Sequence, residues 1–153
     1  SWGDLVSDSH VKNLHIKASG CPNGCGRHHL ANIGFQGASI KGANGNQVPA
    51  FEVYLGGSYD RGNLQYGTRV KAKVPSKNVP DALRRVLDFY VNQREKEEEF
   101  NDFVARTGTD AFEAILSEFK EVGPLSKETL DHYMDWGKTV LYKLERGEGE
   151  CAV

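Results

Sequence analysis

LHIKASGCPNGCGRHHLANIGF, residues 14–35, is the stretch on which the fold turns. Leu14, Ile16 and Ala18 alternate with His15 and Lys17, the period of a short strand with an apolar side. The strand runs straight into Ser19, Gly20 and two cysteines, Cys21 and Cys25, set around Pro22, Asn23 and Gly24. Gly24 and Gly26 suit a tight turn in which backbone can come close to a bulky ligand. Arg27 to Ala31 predict a short helical turn, and IGFQGASI, residues 33–40, reads as a second strand.

Downstream the same period continues. KGANGNQ, residues 41–47, is a turn signal. VPAFEVYL, residues 48–55, follows with Phe51, Val53 and Leu55 on one face. Residues 56–68, GGSYDRGNLQYGT, read as a surface loop, and in RVKAKV Val70, Ala72 and Val74 point in while Arg69, Lys71 and Lys73 point out.

After that the spacing becomes helical. Pro80 stands at a first helical position, and Ala82, Leu83, Val86, Leu87 and Tyr90 recur at helix intervals. REKEEE, residues 94–99, reads as a solvated helix face, with Phe100, Phe103 and Val104 beyond it. Thr109 is placed to cap a helix whose inner stripe is Phe112, Ile115, Leu116 and Phe119, ended by Pro124. Ser126 with Thr129 to Tyr133 predicts one more helix, and ERGEGECAV, residues 145–153, a loosely ordered tail. Strands first and helices after predict an α+β fold: an antiparallel or mixed sheet in the N-terminal half with helices packed on it. Residues 1–120 are expected to form the main unit and 121–153 a helical extension and tail.

The 153 residues are enough for one domain with a real core, and 39% hydrophobic with 26% charged residues is a globular composition. A net charge of −2 advertises neither a nucleic-acid nor a membrane partner, and no apolar run approaches the roughly 20 residues of a spanning helix. The N-terminus lacks the basic start and apolar run of a signal peptide. Cys21, Cys25 and Cys151 are too few, and odd in number, for a disulfide framework, so a reducing cytoplasm is expected. In that setting a close cysteine pair has several uses. Cys21, Cys25, His28 and His29 offer donors for zinc, although adjacent histidines point apart on most backbones. A dithiol redox pair would ordinarily be spaced C-x-x-C. Half of an iron–sulfur site is a third reading, since a cubane cluster takes four thiolates. Two small buried residues at a turn is the bland fourth.

Residues 14–38 resemble the second cysteine motif of the siroheme-dependent nitrite and sulfite reductases, in which a strand ends in G-C-P-N-x-C before a short helix and an I/L-G strand. VPAFEVYLGG, YGTRVKAKVPSKNVPDALRRVLDFYVNQRE and EEEFNDFVARTGTDAF continue the resemblance, so that it covers most of residues 10–120. By that resemblance Cys21 is a ligand of a 4Fe-4S cluster and Cys25 the ligand that also bridges to siroheme. Asn23 and Gly24 form the turn packed against both cofactors. It implies reduction of nitrite or sulfite with electrons from a ferredoxin or a flavoprotein. The family's first cysteine pair has no match, because 20 residues precede Cys21 and none is Cys. The expectation is therefore a C-terminal portion of such a reductase, holding two of four cluster cysteines and inactive without the remainder of the reductase chain. Cys151 has no counterpart in the motif. An apolar sheet edge or face is expected to be exposed and to promote self-association.

Overall fold

The computed structural model describes residues 2–20, 27–42, 46–60, 63–122 and 127–142. Two short helices, α1 (Trp2–Ser7) and α2 (Ser9–Lys12), precede strand β1 (Ile16–Ser19). Strands β2 (Ile33–Lys41), β3 (Gln47–Leu55), β4 (Ser58–Asp60), β5 (Asn63–Gln65) and β6 (Thr68–Pro75) follow, and then helices α3 (Val79–Gln93), α4 (Phe100–Thr107) and α5 (Thr109–Ser117). The main sheet has the order β1-β2-β3-β6. β1 runs parallel to β2 and the other pairs are antiparallel, so the sheet is mixed and the α+β expectation holds.

Alternation sets the core. Ile33 and Phe35 of β2, Val53 and Leu55 of β3, and Val70, Ala72 and Val74 of β6 face the helices. Against them lie Val86, Leu87 and Tyr90 of α3 and the aromatic rings of α4 and α5. Phe89, Tyr90, Phe100, Phe103 and Phe112 make a cluster with centroids 5.2–6.2 Å apart, mostly edge-on or tilted as ring quadrupoles prefer. Between Glu52 and Val53 the β3–β6 register shifts, because Glu52 pairs with Lys73 and Val53 with Val70. Within the resulting bulge the Lys71 amide donates to Glu113 of α5 rather than to the sheet.

Several sequence expectations are corrected. Residues 56–68 are not simply a loop: β4 and β5 pair there as a hairpin. REKEEE is not a helix face. It links α3 to α4, and Arg94 and Glu98 are engaged with Asp8 and Arg106 instead of being left to solvent. Thr109 is the first residue of α5, and Gly108 stands at the cap. Residues 130–133 form a 3-10 turn rather than a helix; Pro124 and the tail lie outside the described residues. Ile16 and Ala18 are exposed and Ser19 is buried, the reverse of an inner apolar face, because β1 is the edge strand of the sheet.

Two features have no signal in the hydrophobic pattern. Val48 and Ala50, on the other face of β3, are buried as well, and the 3-10 turn carrying buried Tyr133 packs on this strand. At the N-terminus Asp8 caps α2 by accepting from the His10 amide, and Arg94 lies 3.3 Å from its carboxylate. Burial pushes the Asp8 carboxyl up, but the His10 amide and the Arg94 charge outweigh it and leave the group below the usual carboxylate range.

Candidate functional site

β1 and β2 are parallel neighbours, so the chain must cross over between them, and residues 20–32 make that crossover. Cys21, Asn23, Gly24 and Cys25 fall in the stretch 21–26, outside the described residues, as does Cys151. What is described is the frame on either side.

Gly20 lies against Gly37 of β2, where a Cβ on Gly37 would collide with the Gly20 carbonyl. At the other end a Cβ on Gly34 would collide with the His28 carbonyl. A Cβ on Gly57 would stand 2.5 Å and 2.6 Å from the carbonyl oxygens of His29 and Ala31, and the Gly67 amide donates to the His29 carbonyl at 2.7 Å. Arg27 holds a left-handed backbone, φ 56°, which turns the chain into the expected short turn, a 3-10 turn at His28–Leu30. Its guanidinium lies 5.1 Å from the centre of the Tyr59 ring, with Lys17 5.9 Å from the same ring.

His28 and His29 do not point apart. The tight turn brings their rings to 3.7 Å, and Tyr54 packs on both at about 5 Å. His28 is fully buried; its ring nitrogens make no hydrogen bond of good geometry, and Gln36 is the polar side chain that bears on them. Burial, then the charge of His29, hold its pKa below the ordinary imidazole value against the weaker pull of Gln36 and Glu52. The imidazole is therefore neutral at neutral pH. Beside it the Tyr54 hydroxyl donates to Gln36 at 2.8 Å, and burial raises the Tyr54 pKa. Arg69 pairs with Glu52 at 3.6 Å on the same sheet face.

At the opposite end of β1 a chain of amides fixes the strand. The Asn32 side chain accepts from the His15 amide and donates to Asn101, which donates to the Gly57 carbonyl. A cleft of about 370 Å³ opens there, lined by His10, Asn13, His15, Asn32 and Glu99 among others. Leu30 of the crossover and Tyr59, the ring under Arg27, line it as well. Among the described residues no group of three or more His, Cys, Asp or Glu could hold a metal ion. Sequence reading missed Gly34 and Gly37 as well as Asn32 and Asn101. The glycines had a signal, since glycine inside a strand marks close backbone approach. The asparagines had none.

The family model described as the nitrite and sulphite reductase 4Fe-4S domain matches residues 12–123. The sulfite reductase (NADPH) hemoprotein beta-component of Staphylococcus carnosus is 40% identical over 100 residues, which are 63% of this chain and 15% of the relative. The sulfite reductase (ferredoxin) of Mycobacterium tuberculosis is 36% identical over 100 residues, 63% of this chain and 18% of that protein. The solved structure of Mycobacterium tuberculosis NirA protein superposes with a TM-score of 0.62 at 30% identity, over 71% of this chain and 20% of that one. The chain thus spans roughly a fifth or less of the length of these relatives.

Proposed function

The chain belongs to the nitrite and sulphite reductase 4Fe-4S domain family, and on that premise we propose that Cys21 and Cys25 supply two of the four thiolates of a 4Fe-4S cluster coupled to siroheme. The centre would serve six-electron reduction of nitrite or sulfite. The observation that carries this reading is the family match across residues 12–123, which includes the cysteine motif and the strand on each side of it.

The frame fits such a group. Thiolates are the soft donors that iron–sulfur clusters take. The crossover is seated against glycines at both ends, and the buried His28 imidazole lies at one of them. Bound cluster and siroheme would supply the electron store and the iron where the anion is reduced. The chain's own residues have simpler duties. Cys21 and Cys25 would hold the cluster, Asn23 and Gly24 would supply the turn packed against the cofactors, and His28, its pKa lowered by burial, would add no charge of its own. The remaining two thiolates and the electron donor, a ferredoxin or a flavoprotein, come from outside this chain, which alone reduces nothing.

The test is a visible spectrum of the anaerobically purified chain with iron and zinc counted in the same sample. A colourless, iron-free protein that gains cluster bands only with the rest of a reductase is expected. Full cluster or siroheme bands in the isolated chain would mean that a second copy or another molecule supplies the missing ligands and would put a partner-completed iron–sulfur binding or assembly module first, and stoichiometric zinc without colour would favour a zinc-stabilised domain.

A further inference from the structure

We infer that residues 127–142, which follow the stretch matched by the family model, are a detachable strap, a peptide ligand carried in cis on the second side of β3. Val53 and Leu55 of that strand belong to the main core under the helices. Val48 and Ala50 point the other way and are buried outside that core. Tyr133 of the strap is fully buried, packs on β3 and is likewise separate from the main core. The strap thus closes a small apolar cluster of its own.

Four of its side chains have definite seats. The Tyr133 ring lies over Gly42, where a Cβ would stand 2.5–2.9 Å from it. The Lys77 ammonium is 2.9 Å from the Asp131 carboxylate and 4.5 Å from the centre of the Trp136 ring. The Asn78 amide donates to the Phe119 carbonyl, which leaves its oxygen to accept from His132 Nε2 at 2.9 Å. The strap folds back on itself through a bridge between Met134 and Leu141 and a 2.7 Å hydrogen bond from the Tyr142 amide to the Tyr133 carbonyl. Its outer side leaves Trp136, Val140 and Leu141 exposed. One buried ring and a few polar contacts hold it far less firmly than the main core is held. Segments of this kind open by themselves, below the free energy of global unfolding. The strap therefore leaves while the rest stays folded, and the groove it vacates reads aspartate, tyrosine and tryptophan in the spacing D-x-Y-x-x-W.

The test uses the full chain and a fluorescent peptide of residues 127–142. In amide exchange the strap is expected to open before α3 in the parent chain. Tyr133→Ala should speed exchange of the strap about 100-fold and leave α3 at its parental rate. The labelled peptide should bind the Tyr133→Ala chain, whose groove is free, and not the parent, whose groove is filled. A peptide carrying Tyr133→Ala should fail to bind. Lys77→Ala, added to the Tyr133→Ala chain, should weaken binding of the intact peptide about 2–10-fold. Exchange of the strap in step with α3 in the parent would overturn the proposal, because the segment would then belong to one cooperative core. So would a folded Tyr133→Ala chain that ignores the peptide, or equal binding to variant and parent, which would place the peptide elsewhere. Should Tyr133→Ala fail to fold, the pair Asp131→Ala and Trp136→Ala, which leaves the buried ring in place, takes its part in the same measurements.

Discussion

His28 is enclosed in the fold, with a pKa held below 6.5 by burial and by the charge of His29 against the weaker pull of Gln36 and Glu52. In the unfolded chain the ring returns to its ordinary value, so on acidification the unfolded state takes the proton first. Stability is then full above pH 6.5 and falls as the pH drops below it toward the lowered folded value. Urea midpoints should rise between mildly acidic and neutral pH, and His28→Gln should flatten that rise. Tyr90 titrates at the other extreme. Burial, then the charge of Glu99, push its pKa up to about 12, and its hydroxyl donates to the Glu98 carbonyl at 2.6 Å. Here the native state keeps the proton longer, so the stabilisation present below pH 10 is lost as the pH rises toward 12. Tyr90→Phe should cost about 1 kcal/mol at neutral pH and remove that alkaline step, as followed by tyrosinate absorbance during unfolding. Legibility at this scale depended on chemistry. Cysteines announce themselves by type, whereas Asn32 and Asn101, 69 positions apart, acquire their meaning only when the fold makes them neighbours.

Helices α3 and α5 were readable because each buries one continuous stripe, Ala82 to Tyr90 in the first and Phe112 to Leu116 in the second. The joint between α4 and α5 was misread by one residue, since Thr109 looks like a cap but Gly108 occupies that place with φ 79° and ψ 161°. That region of backbone space is essentially reserved for glycine, so Gly108→Ala should destabilise by about 1–3 kcal/mol in a denaturant melt. A Cβ there would meet nothing within 4 Å, so the loss measures conformation and not crowding. The β4–β5 hairpin escaped notice for a different reason. Its strands are three residues long, and Tyr59 and Leu64, paired across it, are both exposed, so no inner face sets an alternation. REKEEE misled because charge alone does not distinguish a solvated helix from a linker whose Arg94 and Glu98 are tied to residues outside it.

Over the whole molecule the order of strands and helices follows from the switch in hydrophobic period near residue 76, which the sequence carries openly. What composition could not place is the open side. Among the described residues β1 pairs with β2 alone, Ile16 is 40% exposed upon it, and Tyr66 of the nearby aromatic group is 70% exposed. An unprotected edge with apolar residues beside it favours pairing between copies. Sedimentation of the chain is expected to show association that grows with concentration, and Ile16→Lys to suppress it; a strictly monomeric chain at high concentration would contradict this. The cysteines were legible by type, but they lie outside the described residues and their role stands as proposed above. Two thiols of the proposed four lie in this chain, and relatives several times longer have room for the others.

The parallel pairing of β1 and β2 has a consequence for how the molecule breathes. The segment that closes this pairing, residues 20–32, is also the one that bears Cys21 and Cys25. In the proposed cofactor role, a metal held by that segment would resist unzipping of the edge strand, and unzipping would weaken the hold on the metal, by mass action. Amides of β1 should exchange with solvent deuterium more slowly once Co²⁺ is bound, while those of α3, remote from the crossover, keep their rate. Read in reverse, a lesion that merely frays this margin would loosen the metal without touching either sulfur.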